Sequence, residues 1–227
     1  MSDIVKIEEN VADQFNSYLH NQYNKLLCCD YFYKLGNRSI HSFLLSIYNF
    51  SLIIRHYTYL LSTVITKTDN DEQIKLLIIS LYNYTCLNEK SNIQLFNDYI
   101  SQLKNVKYKN IDDYCYNLDY YKRVSLLDPY DVACNDLSKF ILENSFESCI
   151  SLLIALETFI GVVNIQLNDY IKLKTNDNVI TLLETIYNRR VLMILLNDQL
   201  ITFDKIKPSI DTVTNIFLTL FVDVQKL

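Results

Sequence analysis

Between residues 147 and 174 the chain runs Glu-Ser-Cys-Ile-Ser-Leu-Leu-Ile-Ala-Leu-Glu-Thr-Phe-Ile-Gly and onward, its longest apolar run. Too few positions in it are polar to give a helix a broad wet face, so it predicts a long helix covered on most sides. It also holds Gly161, one of only two glycines in 227 residues. With just two prolines besides, the chain lacks the frequent turn residues that sandwiches and barrels need. Long helices joined by Asn-, Asp- and Lys-containing loops remain.

The rest of the chain reads the same way. Val11, Phe15, Tyr18, Leu19, Tyr23, Leu26 and Leu27 recur near the 3.6 spacing and predict an amphipathic helix over 9–29. The pattern breaks at Gly36, where a positive φ would suit glycine. Ser39 is the expected N-cap of a second long helix over 40–65. Thr68 to Asp71 forms a loop and cap, and a third helix runs through Ile74, Leu77, Ile78, Leu81 and Tyr82. A polar break is expected at 88–92, then a helix through Ile93, Phe96, Ile100 and Leu103, a basic loop at 104–110 and a short helix over 111–123. Asp128-Pro129 suits a helix start, with proline where the N–H groups are free anyway. The long apolar helix comes next, then a polar turn over 174–178, a helix over 179–203, and a last one opened by Pro208. No strand pattern, repeat or low-complexity linker is visible. The expectation is one all-α domain of eight or nine helices over 1–227, with a flexible N-terminus of about ten residues.

Net charge is −5, which argues against broad adhesion to nucleic acid or anionic lipid. The cysteines, Cys28, Cys29, Cys86, Cys115, Cys134 and Cys149, include no CxxC pair and have apolar or aromatic neighbours, so they read as buried free thiols in a reducing compartment. No run of 18 uninterrupted apolar residues occurs, which predicts no transmembrane helix. The N-terminus is acidic and polar, unlike a signal or transit peptide. Eighteen tyrosines with many Asn and Ile residues fit an AT-rich coding bias.

Laid end to end, the segments resemble the haem-oxygenase superfamily. That family carries its haem-ligating histidine fifteen residues before a Lys-Gly turn, and counting back from Gly36 lands on Asn21. The family has an aromatic residue seven beyond that turn, where Phe43 stands. Its distal helix, rich in glycine over the iron, runs ungapped against Glu147 to Leu167; Gly161 matches the first glycine, and the later two fall on Ile165 and Gln166. The segment from Tyr187 to Val191 resembles the family's Tyr-Arg-x-x-Met, and Asn215 to Phe221 loosely resembles its C-terminal motif. The basic residues that pair with haem propionates fall on Glu184 and Asn188.

The resemblance therefore implies a haem-oxygenase-like bundle without the haem chemistry. An amide at Asn21 cannot replace an imidazole on iron, side chains at Ile165 and Gln166 would occupy the space above it, and Glu184 would repel a propionate. The di-metal branch of the fold needs His-x-x-x-Asp-x-x-His; Glu157 could be its second acid, but residues 184–195 contain neither His nor Asp. The thiaminase branch needs a Cys nucleophile with a carboxylate beside it, and Cys149 reads instead as a structural thiol. His20 is rotated about 100° from the ligand position. Glu157, alone in the apolar run, reads as a buried carboxylate held by a nearby hydroxyl or cation, or as a vestigial site residue. Arg189, Arg190, Lys205 and Lys207 read as a solvated face. The implied protein is a pseudoenzyme with no cofactor, no haem and no membrane contact. It would act through protein partners in the maintenance or gene expression of a plastid (the apicoplast), and touch nucleic acid only indirectly or through a leader outside this sequence. A diverged haem- or metal-dependent oxidase using His20 or Glu157 is the alternative. A small apolar ligand in the old haem space is disfavoured by Ile165, Gln166 and the tyrosines that fill it.

Overall fold

The computed structural model describes residues 11–37, 39–102, 107–117, 120–175, 185–197 and 202–223. Every regular element among the described residues is helical: α1 (Val11–Leu27), α2 (Asp30–Tyr33), α3 (Ile40–Ile65), α4 (Asp71–Asn83), α5 (Lys90–Gln102), α6 (Ile111–Tyr116), α7 (Tyr120–Glu143), α8 (Phe146–Thr175), α9 (Thr185–Asn197) and α10 (Phe203–Asp223). The all-α bundle is as expected; among the described residues the count reaches ten because the single turn α2 was not expected, while α6 is the expected short helix.

Local chemistry sets several of these boundaries. Ser39 accepts the Ser42 N–H at 3.2 Å and so caps α3 at the predicted residue. Asn70 accepts from the N–H groups of Glu72 and Gln73, with Asp71 and Glu72 placed where the helix dipole favours negative charge. Lys67 donates to the carbonyls of Leu142 and Asn144, which have no helical partner at the end of α7.

Four expectations fail for tertiary reasons. The polar break at 88–92 is absent: a π-helical turn, Tyr84–Glu89, carries α4 straight into α5. Pro129 lies inside α7 and Pro208 inside α10 rather than opening them. In both helices packing outweighs the lost backbone hydrogen bond. Gly36 stands in the 3-10 turn Leu35–Asn37 with open space around it and without a left-handed backbone.

The organising helix is α8. Every residue from Ser148 to Ile160 is buried, and α10, α9 and α3 pack around it. It is apolar and long enough to cross a membrane, yet 83% of that window is buried inside the bundle, as befits a central helix. One contiguous core runs from Phe15 of α1 to Phe221 of α10.

Candidate functional site

An apolar helix at the centre of a bundle should carry no polar side chains without a reason. On α8 four departures share one face: Glu157, Gly161, Asn164 and Asn168 fall at i, i+4, i+7 and i+11. Glu157, Asn164 and Asn168 are all buried.

Glu157 faces α3. The hydroxyl of Tyr57, itself fully buried, donates to Glu157 Oε1 at 2.9 Å. Burial, then the neighbouring Glu157 charge and this hydrogen bond, push the Tyr57 phenol well above its ordinary value. Tyr84, set into the core at the start of the π turn, packs at a tilt against Tyr57, with ring centroids 4.3 Å apart and planes inclined by 48°, and donates to the Ile54 carbonyl at 3.1 Å.

Two contacts fix the relative direction of α3 and α8. Tyr57 meets Glu157, while Phe43 meets Tyr170 at 4.3 Å between centroids, so the helices run antiparallel. Ser46 and Phe50, eleven and seven residues before Tyr57, therefore stand level with Asn168 and Asn164. Beside them opens a narrow cleft lined by Ser46, Asn49 and Phe50 of α3 and Phe217, Leu220 and Phe221 of α10. It encloses about 230 Å³ with its open mouth included, and its base has room for about one water molecule. Asn49 is 5% exposed and its Oδ1 has no hydrogen-bond partner among the described residues; the same holds for Asn168 Oδ1. The α3–α8 seam thus holds a phenol–carboxylate pair, and about two turns away along α3 the cleft toward α10 holds a buried acceptor, with no residue of α8 in its lining. Such a set can hold hydrogen-bond donors and exchange a proton.

The residues expected from sequence scatter. Asn21 is exposed; the buried residue on that turn of α1 is Gln22, which shares a face with Phe15, Leu19 and Leu26. His20 is exposed and contacts the hydroxyl of Tyr23, its own helix neighbour. Ile165 is 54% exposed, so it does not fill an interior space, and Gln166 and Gly161 are half-buried. Glu184 lies outside the described residues, and Asn188 belongs to α9 with its side chain outside them. Glu157 alone sits in the core, held by a hydroxyl as expected. Tyr57 and Asn49 were missed, although an asparagine inside the apolar Phe43-to-Ile54 run carried the signal.

All six cysteines are free. Cys149 Sγ points at the Ile141 carbonyl at 3.4 Å, and burial pushes its thiol up to about 11; burial raises Cys134 to about 11 as well. Cys149 precedes Glu157 by eight residues, about 12 Å along the helix, so thiol and carboxylate do not form a pair. Iodoacetamide at pH 8 is expected to alkylate exposed Cys28 and to spare Cys115, Cys134 and Cys149 until the chain unfolds. Peptide mass mapping reads the outcome, and rapid labelling of Cys149 in the folded protein would refute a structural thiol. Among the described residues no three His, Cys, Asp or Glu side chains come together to hold a metal.

The expected solvated basic face is partly tied down. Arg189 donates to Asn16 Oδ1 at 3.0 Å, and Lys207 lies over the Tyr18 ring at 5.4 Å. Both link their helices to α1; Arg190 and Lys205 are exposed.

No protein-family model and no curated protein matches the sequence. Solved structures do. A TenA homologue protein from P. horikoshii OT3 superposes with a TM-score of 0.61 at 11% identity, covering 95% of this chain and 98% of its own. A TenA family transcription regulator from Silicibacter sp. TM1040 gives 0.58 at 8% identity, covering 96% of each. These neighbours overturn the haem-oxygenase assignment, and with it the pseudoenzyme, the organelle scaffold and the haem- or metal-dependent oxidase. The plastid location rested on the same resemblance. The ungapped match over 147–167 misled because an apolar helix with one glycine is a pattern of low specificity: it describes a central helix in any such bundle. At these identities the likeness establishes that the chain has the helical fold seen in TenA proteins.

Proposed function

We propose that the protein binds a small, flat, amino-substituted aromatic heterocycle in the seam between α3 and α8, with Glu157 as the group that takes its hydrogen bond or proton. The observation that carries this reading is Glu157 itself, 3% exposed near the middle of the buried helix α8. A buried carboxylate burdens stability, and groups of this kind cluster at functional sites. The remaining chemistry agrees. The open acceptors of Asn49 and Asn168 call for N–H donors, and Phe50, Phe217 and Phe221 offer ring faces for a flat ligand. In the present closed state the ligand enters only when Phe217, Leu220 or Phe221 swings aside.

The TenA-like fold supports a small-molecule site inside the bundle, a usual place for one between helices. Cys149 lends no support to cysteine-nucleophile chemistry of the thiaminase kind, since it is buried and distant from Glu157. The regulator role named for one neighbour finds no broad basic face among the described residues either: net charge is −5, and Arg189 and Lys207 are engaged with α1.

Isothermal titration with 4-aminopyrimidine tests the proposal, with unsubstituted pyrimidine as the control that lacks the donor. Saturable heat is expected for the amine, with affinity about tenfold lower for pyrimidine and for the Glu157→Gln variant, the worth of one charge-assisted hydrogen bond. Absence of saturable binding into the millimolar range, or equal binding by Glu157→Gln, would sink it.

A further inference from the structure

We propose that Tyr84, presented by the π turn, is a positioning residue for Glu157, acting through Tyr57; this rests on the reading of Glu157 as the ligand-binding group. A π turn adds a residue to a helical turn and so rotates the side chains on its N-terminal side relative to those on its C-terminal side. It is rarely kept without a use. Here the turn begins at Tyr84, which is 1% exposed, whereas Tyr82, two residues earlier, is 67% exposed. Tyr84 grips one turn of α3 at two points. Its ring packs at a tilt against Tyr57, and its hydroxyl donates to the carbonyl of Ile54, three residues before Tyr57. Tyr57 in turn donates to Glu157. The chain of contacts runs from the π turn through two phenols to the one carboxylate buried among the described residues.

Plain core packing would be served as well by phenylalanine, which keeps the ring and loses the hydroxyl with its bond to Ile54. The Tyr84→Phe substitution therefore separates the two roles. Loss of that bond lets the Tyr57 ring turn and weakens its donation to Glu157, which disfavours the ionised carboxylate. The test tracks the carboxyl C=O infrared band of Glu157, identified by its loss in Glu157→Gln, against pH in ligand-free protein. In Tyr84→Phe its titration midpoint is expected to rise by about one pH unit, roughly the worth of one hydrogen bond. Affinity for 4-aminopyrimidine should fall about fivefold to tenfold in parallel. An unmoved midpoint, with or without a lower melting temperature, leaves Tyr84 a packing residue and overturns the inference. The double variant Tyr57→Phe/Tyr84→Phe adds a second check. If Tyr84 acts through Tyr57, it shows no further shift beyond Tyr57→Phe alone, and an additive shift contradicts the route. Should the wild-type protein fail to bind 4-aminopyrimidine, the ligand reading falls while the infrared arm still decides the role of Tyr84.

Discussion

Phe159→Ala is expected to lower the free energy of unfolding by about 3–5 kcal/mol, read from urea melts of the variant and the wild type. Phe159 is fully buried and meets Phe217 edge-on, with ring centroids 5.2 Å apart. This contact joins α8 to α10, the most extensive helix pairing in the molecule. Removal of the ring leaves a cavity that stiff neighbouring helices close only in part, so the cost exceeds the lost transfer free energy. Against a typical total of about 5–15 kcal/mol, such a loss brings the chain close to unfolding at ordinary temperature. A loss below about 1 kcal/mol would mean that α8 is not the centre of the core.

The second large effect concerns the phenol–carboxylate pair. Tyr57→Phe removes the hydroxyl that donates to buried Glu157 at 2.9 Å, and is expected to cost about 1–3 kcal/mol. Replacement of both partners, Tyr57→Phe with Glu157→Leu, should recover most of that, because no buried charge remains to be solvated. Stability would then be near wild type while ligand binding is lost. A double-mutant cycle in urea decides it. If the two substitutions add, so that the double variant is the least stable of the three, the pair is a stability element rather than a site.

Much of the fold could be read directly from spacing. The 40–65 helix, its Ser39 cap and the buried central helix emerge from periodicity and one hydroxyl, because helix ends and apolar faces are local properties. The features that escaped are tertiary. Nothing local distinguishes a polar loop at 88–92 from a π turn continuing the helix, and nothing in Asp128-Pro129 reveals that packing will keep the helix intact through the proline. For the site, Glu157 was visible as a lone charge in an apolar run. Its partner Tyr57 was hidden among eighteen tyrosines, a hundred residues away in the chain. Asn21 and Ile165 failed because they were placed by counting along a borrowed pattern. Burial on α1 falls on Gln22 instead, and Ile165 faces outward.

The most direct test is a crystal structure of the protein soaked with 4-aminopyrimidine. The ring is expected between α3 and α8, its amino group within hydrogen-bond distance of the Glu157 carboxylate, with Phe217 or Phe221 displaced. A ligand bound elsewhere, or a seam that stays closed with Glu157 bonded only to protein atoms at saturating ligand, would contradict the site.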